Sequence, residues 1–267
     1  MNIQPSNSLK LSANWKSDFE LFLSRDKIPF ERITESGYSL IRFTHCDLVI
    51  NLIDIDNNFQ PDNLINLQSS FKALDKRLVH LWEDVWLSRS TQVLYRIKSL
   101  IGENIRIHGR KTKVLRLDKP SADSFLNENH LQGAVSSRHK FGLFYADELV
   151  AVATFSALRR MNHTEDYKST ELIRYAVKGG FSVQGGFSKL IKHLKDEIRP
   201  NDIMTYADRD WSAGEAYLNL GFEQKGILRP QYFELDESYN RKIDKQKDAE
   251  LLNRVFNTGS IKFILKY

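Results

Sequence analysis

The stretch that most limits how this chain can fold is ELIRYAVKGGFSVQGGFSKL, residues 171–190. Leu172, Tyr175 and Val177 stand among polar neighbours, a pattern that predicts a strand over 171–177. Gly179, Gly180, Gly185 and Gly186 mark a loop. From Phe187 the spacing of Leu190, Ile191 and Leu194 predicts a helix. A strand, a glycine-rich loop and a helix in that order aim free backbone N–H groups at a bound anion. Glycine lets a phosphate approach the backbone closely. The same arrangement also meets purely steric needs in many α/β proteins, so alone it leaves the function open.

With 267 residues the chain is long enough for one large or two ordinary domains. Hydrophobic residues make up 41% and charged residues 27%, the balance of a soluble globular protein. No apolar run approaches the roughly 20 residues a membrane helix needs. The opening MNIQPSNSLK lacks the apolar centre of a signal peptide. Cys46 is the only cysteine, which excludes an intrachain disulfide and a thiolate metal cluster. A cytoplasmic location is expected. A formal net charge of +5 and a pI of about 9.1 lean towards an anionic partner, although such a surplus is common in proteins that bind no nucleic acid.

In the first half, Asn14 is placed to cap a helix over 15–26 carrying Phe19, Phe22 and Leu23, ended by Pro29. Strands are predicted over 39–44 and 47–55, then a helix over 61–76, started by Pro61 and Asp62, with Leu64, Leu67, Phe71 and Leu74 on one face. A short strand over 78–82 leads to a helix over 90–100. The stretch VHLWEDVW, with Arg96, Ile97 and Ser99 on the helix after it, resembles the very-short-patch-repair-type domains of the restriction-endonuclease-like superfamily, as found in phage homing endonucleases. Chemistry of that kind gathers acidic groups around a divalent cation that activates water. Its signature is an aspartate on one strand and acid-x-lysine on the next. Here Asp47, Asp54 and Asp56 lie on or after a strand, but no acid-x-lysine follows; Lys72 sits on the next helix. Glu20 and Glu83 are carboxylates with no fixed spacing to these. The expectation is a degenerate nuclease-like α/β module over 1–103 that holds no metal. The aspartates then serve as strand-end and turn residues, and His45 and His80 serve in packing or at the surface.

From residue 104 the composition turns basic: Arg106, His108, Arg110, Lys111, Lys113 and Arg116 surround Gly109. A row of cations on a strand suits a phosphate backbone, which makes Arg110, Lys111 and Lys113 candidate nucleic-acid contacts. A solvated edge strand kept soluble by its charges explains them equally well.

The second half reads as a strand over 114–117, a helix over 120–130, and a hairpin of 141–145 and 149–155 joined by Ala146-Asp147-Glu148. After the 171–190 stretch come a strand over 203–207, a helix over 212–220 stopped by Gly221, and apolar runs over 222–227, 232–235 and 261–265. That order resembles the GNAT (acyl-CoA N-acyltransferase) fold over about 150 residues, so a GNAT-like mixed-sheet domain is expected over 104–267. Two motifs carry the likeness further. Val183-Gln184-Gly185-Gly186-Phe187-Ser188 resembles the family's Arg/Gln-x-x-Gly-x-Gly/Ala pyrophosphate loop, with Val183 in place of the Arg/Gln and Ser188 in place of the second glycine. Ala216-Tyr217-Leu218-Asn219-Leu220-Gly221-Phe222 resembles its tyrosine-to-Gly-Phe helix end. NHLQG, GLFYADELVAVATF, ELIRY, GGFSKL and YADRDWSAGEAYLNLGF together resemble the GNAT-like C-terminal domain of phage homing-endonuclease-like proteins. More distantly they resemble the phage Mom group, which modifies adenine in DNA.

The resemblance implies acetyl-CoA or another acyl-CoA as donor, its diphosphate held by Val183, Gln184, Gly185, Gly186, Phe187, Ser188 and Lys189. It implies Tyr217 as acid for the departing thiolate and Glu171 as base. Asp208 is placed to orient an amine and Arg209 to hold a phosphate bidentately. Plainer roles stand beside these. Glu171 can pair with Arg174, Tyr217 can simply pack, and Asp208 and Asp210 can cap the helix at 212. Trp211, Phe187 and Tyr175 can stack on a nucleobase drawn out of its helix, or fill the core. The charged tail over 237–253 reads as surface. Three functions remain open: an N-acyltransferase directed at nucleic acid, a non-catalytic DNA-binding accessory of a mobile element, and a metal-dependent endonuclease with an atypical site.

Overall fold

The computed structural model describes residues 15–161, 164, 166–244 and 255–267. Asn14 and residues 245–253 of the charged tail lie outside the described residues. Helix α1 (Trp15–Arg25) buries Trp15, Phe19 and Leu23, four residues apart on one face. Strands β1 (Phe30–Glu35), β2 (Tyr38–Phe43) and β3 (Leu48–Ile53) form an antiparallel meander. Helix α2 (Pro61–Ala73) then crosses to β4 (Arg77–Trp82), which lies parallel to β3. Every residue of β3 and all but the first of β4 are buried, as expected of strands covered on both faces. The sequence pattern leaves β1 undetected, because most of its residues are exposed and give no alternation.

Helix α3 (Glu83–Ile101) starts seven residues before the periodicity predicts. Glu83 and Asp84 fill its first turn, where the helix dipole favours carboxylates. Arg89 departs from helical geometry (φ −144°, ψ 32°), and this kink breaks the period on which the prediction rests.

The remaining elements begin with β5 (Ile105–His108), a 3-10 turn (Gly109–Lys111), β6 (Lys113–Arg116) and α4 (Lys119–Asn129). Next come β7 (His139–Tyr145), β8 (Glu148–Phe155), β9 (Arg159–Arg160), β10 (Lys168–Val177), β11 (Phe181–Gln184), α5 (Gly186–Ile198) and β12 (Asp202–Asp208). The chain ends with α6 (Glu215–Leu218), β13 (Glu223–Leu228), β14 (Tyr232–Leu235), β15 (Arg241–Ile243), β16 (Val255–Phe256) and β17 (Ser260–Lys266). The large mixed sheet has the order β13-β17-β12-β10-β8-β7-β6. Helix α5 buries Phe187, Leu190, Ile191 and Leu194 on one face of it; α4 lays Ala122, Phe125 and Leu126 on the other. The overall class is mixed α/β with two main sheets, as the sequence reading expects.

The C-terminal part of the chain enters the first core. Trp211 packs with Trp15, Phe19 and Trp86, and Val255 and Phe256 pack with Ile53, Leu64 and Trp82. The His80 N–H donates to the Asp210 carbonyl at 2.9 Å. Arg241 forks onto the fully buried Asp84, Nε to Oδ2 at 2.6 Å and Nη2 to Oδ1 at 3.0 Å.

A candidate active site between two diverging strands

Strands β10 and β12 run parallel and pair at only three rungs, Ser169–Asp202, Thr170–Ile203 and Glu171–Met204. Beyond Glu171 they part. Among the described residues, β10 from Leu172 onwards pairs only with β8, and β12 from Thr205 onwards pairs only with β17. A register shift between Leu172 and Arg174 bends β10 at the point of divergence. Glu171 therefore occupies the last rung, at the neck of the gap.

On the α5 side, aromatic rings pack against one another beside the gap. Tyr175 stacks on Phe187 with centroids 4.4 Å apart and planes 17° from parallel. Tyr217 meets Phe187 edge-on at 5.9 Å and leans on Phe263 at 5.3 Å. Its hydroxyl lies against Thr205, near Arg96 and Arg174; burial pushes it up, and Thr205 and the two cations oppose that. Tyr217 thus packs and also presents a polar group in the gap.

The glycine loop differs from its expected form. Residues 181–184 are a strand, β11, paired in parallel with β5. The ring of Tyr95 on α3 occupies the space beside Gly179, where a Cβ would lie 2.3 Å from the ring. That glycine seats α3, and its N–H donates to Asn129 Oδ1 at 2.8 Å. Gly185 caps α5 at φ 70° and is exposed, with Gln184 and Ser188. The 3-10 turn crowds this helix start: a Cβ on Gly109 would stand 2.8 Å from the Gln184 carbonyl oxygen and 2.9 Å from the Gly186 nitrogen. Lys189 Nζ donates to the Gly109 carbonyl at 3.0 Å and to the Thr112 carbonyl, so Lys189 clamps the turn. Val183 and Phe187 are buried in the sheet core. Of the seven residues expected around a diphosphate, Gln184, Gly185 and Ser188 remain exposed.

The other face of the gap opens into a cavity of about 940 Å³, roofed by α3. Asp208 lines it, accepting from Gln132 Nε2 at 3.3 Å and from the Asp210 N–H at 3.0 Å. Burial first, and the Asp210 charge second, push Asp208 up to about 7. Burial also raises Asp210, against two bonds donated by Thr258, from its N–H at 2.9 Å and its hydroxyl at 2.7 Å. His130 Nδ1 accepts from the Gln132 N–H at 3.0 Å, which leaves the ring proton on Nε2. Burial, then the charges of Arg174, Arg96 and Arg89, depress His130 to about 3, so it is neutral.

Other expected site residues lie elsewhere. Arg209 gives its guanidinium to the Thr258 carbonyl at 2.9 Å and does not line the cavity. Its backbone carbonyl accepts from Gln68. Helix α6 is capped by Gly214, so Asp208 and Asp210 do not cap it. Arg110 and Lys111 are exposed on the 3-10 turn, and Lys113 is exposed on β6, an edge strand. In the first sheet Asp54 accepts from Trp15 Nε1 at 2.7 Å and Lys16 Nζ at 2.6 Å; Glu83 accepts from the Ile55 N–H at 2.9 Å. Buried His80 bonds Asn51 and the Leu64 carbonyl and is pushed down to about 3 by burial. Among the described residues no three His, Cys, Asp or Glu side chains gather as a metal site, and no helix is long and apolar enough to cross a membrane. The roles of His130, Gln132, Arg89 and Arg174 escape the sequence reading, because three separate segments bring them together. One signal was present: Ser88, Gln92, Arg96 and Ser99 recur at helical spacing on α3 and all line the cavity.

Several solved structures are similar to part of this chain. The ribosomal-protein-S18-alanine N-acetyltransferase from Escherichia coli shares 17% identity at a TM-score of 0.38, covering 58% of this chain and 93% of that one. A Bacillus subtilis acetyltransferase in complex with CoA shares 13% at 0.38, covering 59% and 99%. A GNAT family acetyltransferase from Elizabethkingia anophelis with acetyl-CoA bound shares 15% at 0.35, covering 59% and 99%. No family model and no curated protein matches the chain.

Proposed function

We propose that the large sheet transfers an acyl group from an acyl-CoA thioester to an amine seated in the cavity beneath α3. The observation that carries this reading is the parting of β10 and β12 after Glu171, with Asp208 on the cavity side and the Tyr217 hydroxyl in the gap. The residues fit the donor in part. Among the described residues, β10 from Leu172 onwards has no partner strand on its β12 side, where an extended amide-bearing arm can bond; there the Thr205 hydroxyl donates to the Leu172 carbonyl at 3.0 Å. The diphosphate seat is reduced to the exposed start of α5 at Gly185 and Ser188, beside the turn that Lys189 holds.

When bound, the donor supplies an activated acyl carbonyl and a thiolate leaving group. Asp208, titrating near neutrality, accepts the proton the amine sheds. Tyr217, whose hydroxyl holds its proton more tightly than usual, delivers a proton to the leaving sulfur. Glu171 at the neck offers a second carboxylate on the amine's approach. The first sheet is read as a nuclease-like module over 1–103 that has lost its metal chemistry. An acceptor on nucleic acid is supported only by exposed cations such as Arg110, Lys111 and Lys113 and by the basic surplus.

Acetyl-CoA is expected to raise the melting temperature of the full chain, and Ser188→Glu to remove the shift. That change adds an anion where a helix start welcomes one, so it spares the fold while repelling diphosphate. A second reading, a binding protein that has lost the donor, is favoured by the Tyr175–Phe187 stack and the Gly109 turn. It wins if acetyl-CoA leaves the melting temperature unmoved and releases no thiol in the presence of amines.

A further inference from the structure

We infer that Arg96 and Arg174 form a phosphate-binding wall in the cavity beneath α3, and that the amine acceptor carries that phosphate. The inference rests on the acyl-transfer reading for the word acceptor, and on the arginines alone for the phosphate. The cavity is lined by five cations, Arg89, Arg96, Arg174, Lys178 and Arg241, against three carboxylates, Asp84, Asp208 and Asp210. These charges are segregated. The carboxylates gather round Arg241, which is committed to Asp84. Lys178 pairs outward with Glu148. Arg89, Arg96 and Arg174 stand around His130, which their charges keep neutral.

The commitments of these arginines differ in a telling way. Arg89 donates to the Asn127 carbonyl at 3.3 Å. Arg174 gives Nε to the Gly133 carbonyl at 3.1 Å and Nη1 to its neighbour's carbonyl at 2.9 Å, which fixes the plane of the guanidinium and leaves Nη2 without a partner among the described residues. Arg96 makes no hydrogen bond and no ion pair among the described residues, although burial, then Arg77, lowers it from its ordinary value. Glu215 and Glu171 are the nearby anions, yet Glu215 pairs with Arg77 and Glu171 pairs with neither arginine. A partly desolvated guanidinium without a partner is costly. Its planar fork matches a phosphate dianion, which takes bonds from two guanidinium groups at once. The His130 Nε2–H adds a neutral donor on the same wall. The two arginines also flank the Tyr217 hydroxyl, so a phosphate held there places the rest of its molecule at the gap where β10 and β12 part.

The test uses the full chain and the smallest molecule that carries both groups, O-phosphoethanolamine, with ethanolamine as control and inorganic pyrophosphate as a phosphate without the amine. Calorimetry is expected to show binding of phosphoethanolamine and pyrophosphate, at least tenfold tighter than any binding of ethanolamine. Arg96→Gln is expected to weaken both by tenfold or more, and Arg96→Lys to restore part of the loss. Circular dichroism and melting temperature of Arg96→Gln check that the fold survives, and Thr91→Ala, exposed on the same helix and outside the cavity lining, serves as a variant that leaves the phosphate affinity in place. Equal binding of the two amines, or phosphate affinity unchanged in Arg96→Gln, overturns the inference. Displacement of phosphoethanolamine by acetyl-CoA also overturns it, because the wall would then serve the donor. Thiol release from acetyl-CoA is read separately. Phosphate binding that depends on Arg96 without thiol release removes the transferase reading and keeps the phosphate site.

Discussion

Asp208 is held in a surrounding that a surface carboxylate never meets. Its folded value near 7 lies above the roughly 3.9 of a free aspartate, because burial and Asp210 both oppose its charge. The proton is bound more tightly in the folded state. The contribution of this group to stability is therefore complete below about pH 4 and is lost as pH rises through 7. Acyl transfer runs the opposite way, since only the ionised form accepts a proton. The rate is expected to climb between about pH 6 and 8, and Asp208→Asn to lower kcat by about 100-fold or more and abolish that limb while making the chain less sensitive to alkali. A pH–rate profile paired with melting curves at pH 5 and 8 measures both. Tyr217→Phe is predicted to lower kcat by roughly tenfold to a hundredfold with KM little changed, because the ring keeps its contacts with Phe187 and Phe263 and loses only the proton donor. A fall in melting temperature matching the fall in rate would show instead that the hydroxyl is structural.

At the scale of elements, the two glycine pairs between β10 and α5 carry different burdens. Gly179 yields space to Tyr95, so Gly179→Ala is expected to lower the melting temperature by several degrees, and Tyr95→Ala in the same chain to restore part of it. No restoration in the double variant would mean that the backbone at 179 resists a side chain for another reason. The sequence could show that glycines cluster here but not which neighbour each one faces, since Tyr95 lies more than eighty positions away. Most helices and strands were legible, because α1, α2, α5, β3 and β8 each expose a clean period or an apolar run. Strand β11 was not: Phe181-Ser182-Val183-Gln184 is four residues long, lies between glycines, and pairs with β5 across a long stretch of chain. Within the candidate site, Tyr217 and Asp208 could be read from motif and position. The arginine wall could not, since α3, β10 and the segment after α4 meet only in space.

At the scale of the whole molecule, the two sheets share parts that neither can complete alone. The first core takes Trp211, Val255 and Phe256 from the far end of the chain, and the cavity takes its roof from α3. The Asp84–Arg241 pair joins the first turn of α3 to β15, and Asp84 is fully buried. Taking one partner away leaves an uncompensated buried charge, a loss on the order of 3–5 kcal/mol. Arg241→Met is therefore expected to lower stability by about that amount, while Asp84→Asn with Arg241→Met together costs less than the sum of the two single changes. Because the pair lies beside Asp208 and Asp210, the single variant should also raise the apparent titration of the rate further, by removing a cation that favours the ionised carboxylate. Chemical denaturation followed by tryptophan fluorescence and by circular dichroism tests the coupling between the sheets. Coincident transitions in the parent chain, both displaced equally by Arg241→Met, are the expected result. Two separated transitions, with only one moved, would mean that the sheets unfold independently and that the cavity between them is no rigid site.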